Sequence, residues 1–362
     1  MAEMDKIFKA AMDFKASDIH LSPGEPYIFR LFGKLRKVKS EVLTPERCEQ
    51  LVFELLSDAQ KERLTKDLQL DFAVDVAGLG RFRGSAMMHN VGLGASFRII
   101  PDKIPSFKDL GLPDVVEKVL DNHQGIILVT GATGQGKSTT LASMVDYINT
   151  NRAHHVLTVE DPIEFIHPLK KGAVNQRQIG NNTRSYANAL KGALRQDPDV
   201  IMVGELRDLE TTELAITAAE TGHLVVGTLA TSSAPKTVDR IIDSFPAGEQ
   251  SQVRAMLSEA LKAVITQRLI PGKDGKSMVL AAEVLIGTLP MANLIRDGKV
   301  FQIPSMMQTG KAVGMKIMDD SIQELYQDDK ISAAEAYNSA NNPARFKPFV
   351  DKEQKAQALN LC

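Results

Sequence analysis

The spacing of apolar residues changes near residue 100 of this 362-residue chain. Before that point, a segment with apolar residues at helical spacing (Met4–Met12) precedes short stretches in which apolar and polar residues alternate. Helical spacing predicts a helix, and alternation predicts half-buried strands. The alternating stretches are DIHLS, YIFRLFG, DFAVDVAG and GRFRGSAMM. We therefore predict a smaller α+β domain over residues 1–100.

From residue 115 onward, the apolar residues form unbroken runs separated by helical patterns. The runs are GIILVT, HHVLTVE, DVIMVG and LVVGTL. Unbroken runs between helices are typical of strands that are buried on both faces of a parallel sheet. We predict an α/β domain over residues 115–362, with a proline-containing linker at 101–114.

Three later segments carry their own predictions. Residues 249–269 have apolar residues at helical spacing and predict one long helix. The apolar segment 277–295 is interrupted by charged, glycine and proline residues, which predicts a buried strand and then a helix, not a membrane span. The tail after Pro343 is polar, and we expect it to be disordered.

Charge and cysteine content exclude several classes of protein. The chain has 43 Lys and Arg against 45 Asp and Glu, so we expect no nucleic-acid partner. The only cysteines, Cys48 and Cys362, have no spacing typical of a disulfide framework or a structural zinc site. The first helix is acidic and does not resemble a secretion signal, so we expect a cytoplasmic protein.

The segment GATGQGKS at 131–138 has the spacing of a phosphate-binding loop and lies between a predicted strand and a predicted helix. Glycines let backbone N–H groups converge on phosphates, Lys137 would reach the phosphates, and Ser138 would bind Mg²⁺. A tight turn with a solvated lysine is the competing interpretation. The expected nucleotide-binding residues are Gly131, Thr133, Gly134, Gln135, Gly136, Lys137, Ser138 and Thr139.

Acidic residues follow two of the predicted parallel strands. Glu205 follows DVIMVG, where ligands of parallel sheets bind, whereas Asp199 lies at the entry of that strand. We assign Glu205 to the metal and water, although a helix cap or surface charge would give the same pattern. Glu160, Asp161 and Glu164 follow another strand, and one of them should orient or deprotonate the attacking water. A solvated acidic turn is the alternative.

Two arginines of the first domain lie on one face of a predicted strand. Arg81 and Arg83 in GRFRG project about 7 Å apart, with Phe82 on the opposite face. Two adjacent positive charges favour an anion as ligand. The alternative is a solvated strand face, with Arg98 paired to an acidic residue.

Four segments in order resemble the Walker A, Asp box, Walker B and His box of the type II/type IV secretion ATPases. They are GATGQGKST, VEDPIEF, LRQDPDVIMVGELRD and AAETGHLVVGTL. Within this superfamily the chain is most similar, from about Ala16 through Ser339, to type IV pilus retraction ATPases of the PilT/PilU type. The resemblance implies a PAS-like N-terminal domain and a RecA-like ATPase domain.

The resemblance also implies a function and partners. It implies a homohexameric ATP-hydrolysing motor that powers pilus retraction and twitching motility, with ATP and Mg²⁺ as cofactors. The ring would be cytoplasmic and peripheral at the inner membrane, bound to the pilus platform protein there. A paralogous retraction ATPase is a further candidate partner.

Site roles follow from the same resemblance, motif by motif. Glu164 corresponds to the catalytic base of the Asp box, Glu205 to the Walker B glutamate, and His223 to the first His-box histidine. The arginines that would approach nucleotide phosphate at a domain or subunit boundary are Arg81, Arg83 and Arg98.

Departures from the family pattern leave a second function open. Related ATPases usually read GTLHT where this chain has GTLAT, with Ala230 in place of a histidine. Ala292 likewise replaces an arginine of a C-terminal helix motif. The alternative is an accessory or regulatory nucleotide-binding ring subunit with weak hydrolysis, acting beside the main retraction ATPase. Residues 205–361 contain no cysteine, which disfavours the zinc-containing assembly motors.

Overall fold

A computed structural model describes residues 3–31, 33–101 and 103–352. The chain forms two compact units. The first unit comprises the chain before Pro105 together with Pro162–Ile166, and the second comprises Pro105–Asp161 together with the chain from His167 onward.

These units differ from the predicted domains at two segments. Phe107 and Leu112 lie in the predicted linker, yet both are buried in a hydrophobic cluster of the second unit. The prolines and polar residues of 101–114 are typical of a linker, and the pattern gave no sign that these two apolar residues would be buried. In addition, Pro162–Ile166 departs from the second unit and packs with the first.

The first unit is a six-stranded antiparallel sheet with helices, in the strand order β3-β2-β1-β6-β5-β4. Its elements are α1 (Glu3–Asp13), β1 (Asp18–Leu21), β2 (Ile28–Leu31), β3 (Lys34–Lys37), α2 (Pro45–Phe53), α3 (Asp58–Asp67), β4 (Gln69–Val76), β5 (Gly80–His89) and β6 (Gly92–Ile100). Phe8 of α1 stacks on Phe82 of β5, with ring centroids 3.9 Å apart. The predicted α+β class is confirmed.

The sheet of the first unit carries a row of charged residues across four strands. Asp18 lies opposite Arg30 on β2 and opposite Arg98 on β6. Arg98 in turn lies opposite Arg83 on β5. Because residues in register on neighbouring strands share one face, Arg30, Asp18, Arg98 and Arg83 form one line, which we call the charged row.

The second unit is built on a seven-stranded sheet in the order β13-β12-β7-β11-β10-β8-β9. Its strands are β7 (Gly125–Thr130), β8 (His155–Glu160), β9 (Ala173–Gln178), β10 (Val200–Val203), β11 (Leu224–Leu229), β12 (Leu261–Pro271) and β13 (Met278–Ile286). Its helices are α4 (Phe107–Leu110), α5 (Val115–Val119), α6 (Lys137–Asn151), α7 (Tyr186–Ala193), α8 (Leu209–Glu220), α9 (Ala234–Asp243), α10 (Gln250–Ala260), α11 (Leu289–Arg296), α12 (Ile303–Thr309), α13 (Met318–Gln327) and α14 (Ala333–Ser339).

The direction of these strands gives the sheet two distinct edges. All neighbours pair in parallel except β12 and β13, which are antiparallel. Every residue of β7, β10 and β11 is buried, as the unbroken apolar runs predicted. The carboxyl ends of the parallel strands therefore share one edge, the carboxyl edge, and their amino ends share the other, the amino edge. The predicted α/β class is confirmed.

Two predictions about the later chain are wrong, and one is confirmed. The predicted long helix 249–269 ends at Ala260, and β12 follows at once, between β7 and β13. Phe346 is fully buried in a cluster with Ile270 and Ile322, so the described part of the tail is packed. The rest of that predicted disorder, 353–362, lies outside the described residues. The predicted strand and helix in 277–295 are β13 and α11.

Candidate nucleotide site

The phosphate loop connects β7 to α6 through glycines with left-handed backbone conformations. Gly131 has a φ of +144°, and a Cβ at this position would lie 2.6 Å from the carbonyl oxygen of Gln267 on β12. Gly136 has a φ of +80° and immediately precedes α6. Only glycine combines these φ values with so close an approach to a neighbouring strand.

Lys137, the first residue of α6, lies folded back over the loop. Its Nζ donates to the carbonyl oxygens of Gly131, at 2.8 Å, and Ala132, at 2.9 Å. Burial lowers the pKa of Lys137, and the carboxylate of Glu205 acts in the opposite direction. The ammonium group is therefore held by neutral oxygens, with Glu205 as the nearby negative charge.

The start of α6 is open to an anion. Thr133, Gly134 and Ser138 are exposed, and Thr139 is half-buried. The first N–H groups of a helix have no partner within the helix, and Gly136 has no side chain to cap them. Free N–H groups and the partial positive charge of the helix start together favour a phosphate at this position.

The side chain of Gln135 binds the phosphate loop to β12. Its Oε1 accepts a hydrogen bond from the backbone N–H of Leu269 on β12, at 2.5 Å. The phosphate-loop motif predicts that Gln135 contacts the nucleotide. In this structure its side chain instead anchors the loop to the neighbouring strand.

A buried polar group behind the loop was missed by the sequence analysis. The hydroxyl groups of Thr130 and Thr266 lie 2.8 Å apart. Gln267 Nε2 donates to Thr140 Oγ1 at 2.6 Å, which joins β12 to the first turns of α6. The signal was the pair Thr266-Gln267 inside an apolar run, but the prediction of a helix there assigned it no role.

Glu205 lies at the carboxyl edge, where the sequence analysis placed it. It follows Gly204 at the end of β10, and Gly204 O accepts a hydrogen bond from Thr228 Oγ1 of β11 at 2.6 Å. Its Oε2 accepts from Arg207 Nε at 2.6 Å, and this bond is the main reason that the pKa of Arg207 is raised. The position is thus fixed by two strands, while the role of Glu205 stays a prediction.

The neighbourhood of Glu205 is acidic. Glu160 is buried at the end of β8 and accepts from Thr158 Oγ1 at 2.6 Å and from Gln176 Nε2 at 3.1 Å. Burial, followed by the charge of Asp161, raises the pKa of the Tyr186 phenol well above its usual range. Tyr186 carries no motif that sequence analysis could have recognised.

The structure separates Glu164 from the other acids of its predicted loop. Asp161 belongs to the second unit, whereas Glu164 belongs to the first. There, Glu164 Oε1 accepts from Arg83 Nη1 at 2.8 Å. Arg81 Nε donates to the carbonyl oxygen of Ile163 at 3.0 Å and so ties the same segment to β5. Two predicted arginines are therefore grouped with the predicted base.

The third arginine, Arg98, has a different partner. Its Nε donates to Asp18 Oδ1 at 2.9 Å. The ion pair that the sequence analysis weighed as an alternative for Arg98 is therefore present. An approach of Arg98 to nucleotide phosphate stays a prediction.

The chain that returns from Glu164 to the second unit is fastened to α6. Lys170 Nζ contacts both carboxylate oxygens of Asp146, at 2.7 and 2.8 Å. Asn149 Nδ2 donates to Pro168 O at 2.8 Å. His167 is buried, and burial lowers its pKa to about 4, so this histidine is neutral at pH 7. The helix that begins at the phosphate loop thus also binds residues 168–170 of the returning chain.

His223 is not brought to the phosphate loop. It immediately precedes β11 and therefore lies at the amino edge, where its Nδ1 is 3.1 Å from Ala218 O. The six residues of β11 separate the two edges by roughly 20 Å. The structure therefore places His223 at the edge opposite the phosphate loop of its own chain, and its catalytic role stays a prediction. Ala230 lies at the other end of β11, at the carboxyl edge, in the position where the family pattern has a second histidine.

The residues at the carboxyl edge fit a nucleotide-bound Mg²⁺. Ser138 Oγ and the Glu205 carboxylate are hard oxygen donors, which Mg²⁺ prefers. Within the described residues no group of three or more His, Cys, Asp or Glu could hold a metal by itself. Such a sparse donor set suits Mg²⁺ that is bound mainly through phosphates.

Comparison with known proteins decides the family. A model of the type II/IV secretion system protein family matches residues 1–340. The chain belongs to this family.

Among its described helices, none has the length and apolar character required to cross a bilayer.

Individual relatives cover nearly the whole chain. The type IV pilus retraction ATPase PilT of Pseudomonas aeruginosa is 48% identical over 331 residues, which are 91% of this chain and 96% of that protein. The type IV pilus ATPase PilU of the same organism is 36% identical over 359 residues, 99% of this chain and 94% of that protein. A crystal structure of the pilus retraction motor PilT with bound ADP superimposes with a TM-score of 0.86 at 44% identity, covering 95% of this chain and 99% of that one.

Proposed function

We propose that this chain is an ATP-hydrolysing motor that powers type IV pilus retraction. The observation that carries hydrolysis is the phosphate loop, in which Lys137 donates to two loop carbonyls, with Glu205 at the same edge of the sheet. The assignment to pilus retraction is supported by the 48% identity to PilT, which exceeds the 36% identity to PilU.

Phosphate binding would exchange the partners of Lys137. Phosphate oxygens would replace the Gly131 and Ala132 carbonyls as acceptors, and the N–H groups at the start of α6 would donate to the same phosphates. Burial disfavours the ammonium form of Lys137, and a phosphate partner would stabilise it. The loop is therefore prepared for a strongly negative ligand.

Hydrolysis also requires a metal and a base. Mg²⁺ bound with the nucleotide would neutralise charge between the phosphates, and Ser138 and Glu205 would hold it. Glu164 would accept the proton of the attacking water. The arginines Arg81, Arg83 and Arg98 would stabilise the charge on the transferred phosphate, which in other phosphate-transferring enzymes contributes about 10³ to 10⁵ in rate.

The proposed assembly is a homohexameric ring at the cytoplasmic face of the inner membrane. In such a ring the first-unit arginines of one copy could serve a nucleotide at a domain or subunit boundary. The proposed partners are the inner-membrane pilus platform protein and a paralogous retraction ATPase.

One observation favours the alternative of an accessory ring with weak hydrolysis. Ala230 lies directly after β11, at the same edge as the phosphate loop, and its side chain is exposed. A methyl group there cannot donate a hydrogen bond to phosphate, as the histidine expected in this family could.

Steady-state ATPase activity across protein concentration tests the proposal. We expect specific activity with Mg²⁺ to rise as rings assemble and to disappear in Lys137→Ala, whereas Lys191→Ala, a surface lysine paired with Glu210, serves as the matched control. Assembled rings that bind nucleotide without turnover would contradict the motor and favour the accessory ring. Restored twitching in a piliated strain that lacks its own retraction ATPase would test the link to pili.

A further inference from the structure

Asp18 is a buried carboxylate in the middle of the charged row. Only 12% of its side chain is exposed. It accepts hydrogen bonds from Arg98 Nε at 2.9 Å and from Ser17 Oγ at 2.8 Å, and Arg30 Nε lies 3.5 Å away. Burying a carboxylate is costly unless it is paired, and here an arginine on each side supplies that pairing.

Asp18 contacts only the inner edge of the Arg98 guanidinium. The Nε atom is bound, and the side chain of Arg98 is nevertheless 60% exposed. Within the residues that the structure describes, no hydrogen bond is made by the two terminal nitrogens of Arg98. The guanidinium is therefore held at Nε, and its two terminal nitrogens face solvent.

Arg81 and Arg83, the other two predicted phosphate-contacting arginines, each already have a partner at a terminal nitrogen. Arg81 donates through Nε to Ile163 O and pairs through Nη1 with Asp75, and only 15% of its side chain is exposed. Arg83 donates through Nη1 to Glu164. Among the hydrogen bonds of the described residues, Arg81 and Arg83 each use a terminal nitrogen, whereas Arg98 uses neither of its own.

The register of β5 and β6 explains why a carboxylate is needed at this point. Arg83 and Arg98 lie directly opposite each other. Like charges in such cross-strand pairs destabilise a sheet, and Asp18 and Glu164 flank the pair with two negative charges. Asp18 thus holds Arg98 beside a second arginine that would otherwise repel it.

We propose that Asp18 is a positioning residue for Arg98: it grips Nε so that both terminal nitrogens face the phosphate of a bound nucleotide. This role rests on one part of the proposed function, the binding of a nucleotide. A guanidinium fixed at Nε can donate two parallel hydrogen bonds to phosphate oxygens, whereas an unfixed one must first be ordered. Without the Asp18 carboxylate, the guanidinium of Arg98 would remain but would have no fixed orientation.

The test is a double-mutant cycle with Asp18→Asn, Arg98→Ala and the combination, in the full-length protein. Asparagine keeps the shape of the side chain and removes its charge. We expect Asp18→Asn to lower kcat about 10²-fold, the size of effect that misplacement by roughly 1 Å can cause. KM for Mg-ATP should stay within about twofold, and Asp18→Asn should cause no further loss in the Arg98→Ala background.

A matched control separates positioning from folding. Glu3→Gln removes the ion pair of Glu3 with Arg47 in the same unit, and we expect it to leave kcat unchanged. Asp18→Asn should melt close to this control. A loss of kcat that adds to that of Arg98→Ala, or one explained by a lower melting temperature, would overturn the proposal. Unchanged kcat in Asp18→Asn would overturn it as well.

A binding measurement distinguishes this proposal from the proposed motor. The ratio of affinities for β,γ-imido-ATP and ADP reports contacts to the terminal phosphate without turnover. We expect Asp18→Asn and Arg98→Ala to lower that ratio by similar factors. If the wild-type ring does not hydrolyse ATP but the ratio falls in both variants, the motor is wrong and the role of Asp18 stands. If wild-type turnover is normal and the ratio is unchanged, the role of Asp18 is wrong and the motor stands.

Discussion

The two edges of the seven-stranded sheet carry similar residue types and differ in what those residues are free to do. At the amino edge, the backbone N–H of His155 donates to Asp199 Oδ2 at 2.8 Å, and His223 Nδ1 lies 3.1 Å from Ala218 O. At the carboxyl edge, the hydrogen bonds that Lys137 makes within the described residues all go to carbonyls of its own loop. The polar groups of the amino edge form hydrogen bonds with nearby backbone atoms, whereas Lys137 can exchange its partners for a phosphate.

The cause of the difference is strand direction. A helix that follows a parallel strand begins at the carboxyl edge and ends at the amino edge. Helix starts, with their free N–H groups and positive partial charge, therefore collect where α6 begins. Helix ends collect where His223 lies beside the end of α8, and their partial charge is negative. Position relative to the strands decides which charged residue can bind an anion.

The largest expected effect comes from removing the cation of the carboxyl edge. We expect Lys137→Ala to lower kcat by about 10³-fold or more, because the phosphate loop loses the cation that would contact the phosphates. Steady-state ATPase assays on assembled rings measure this, with Lys191→Ala as the control. Residual activity above about one tenth of wild type would contradict a phosphate site at this edge.

The acidic group of the same edge should have the next largest effect. We expect Glu205→Gln to lower kcat about 10²-fold while ATP still binds, because the amide keeps the shape but loses the charge that serves Mg²⁺. Glu210→Gln, which removes an exposed carboxylate of the same unit, is the matched control. Equal activities of the two variants would show that Glu205 is only a partner of Arg207.

A gain of function would sharpen the comparison at the two ends of β11. We expect Ala230→His to raise kcat by up to about tenfold, because the new side chain can donate to phosphate at the carboxyl edge. The site is exposed, so the larger side chain should fit without repacking. The assay is kcat of the variant ring against wild type at saturating Mg-ATP. An unchanged kcat would mean that the missing histidine does not limit this enzyme.

The smallest expected effect lies at the amino edge. We expect His223→Ala to cost about 1 kcal/mol of unfolding free energy, because it removes one hydrogen bond to Ala218 O. In a domain of this size the melting temperature should fall by about 2–4 °C. ATP affinity, measured by equilibrium binding, should stay within about twofold of wild type. A tenfold loss of affinity would place His223 in a nucleotide site after all.

Much of the site could be predicted because it is built from local patterns. The spacing of Gly131, Gly136 and Lys137 identifies a phosphate loop wherever a strand precedes it and a helix follows. The rule that ligands bind at carboxyl ends of parallel strands then selected Glu205 and rejected Asp199, and both lie where the rule put them.

The same rule places His223 at the opposite edge. The residue stands before the apolar run LVVGTL, and β11 begins at the next residue. Its motif predicted a catalytic role, and its place before the strand puts it at the amino edge. In this case strand direction carried more information than the motif.

By itself, the sequence determined the α/β class of the second unit, the α+β class of the first, the phosphate loop and the position of Glu205, because each depends on residues close together in the chain. Only the tertiary structure decided that residues 261–269 form β12, that Glu164 and Asp161 belong to different units, and that Asp18 grips Arg98. An apolar run fits a helix or a buried strand equally well, and its neighbours in space select between them. Partners distant in sequence, such as Asp18 and Arg98, meet only when the register between β1 and β6 is formed.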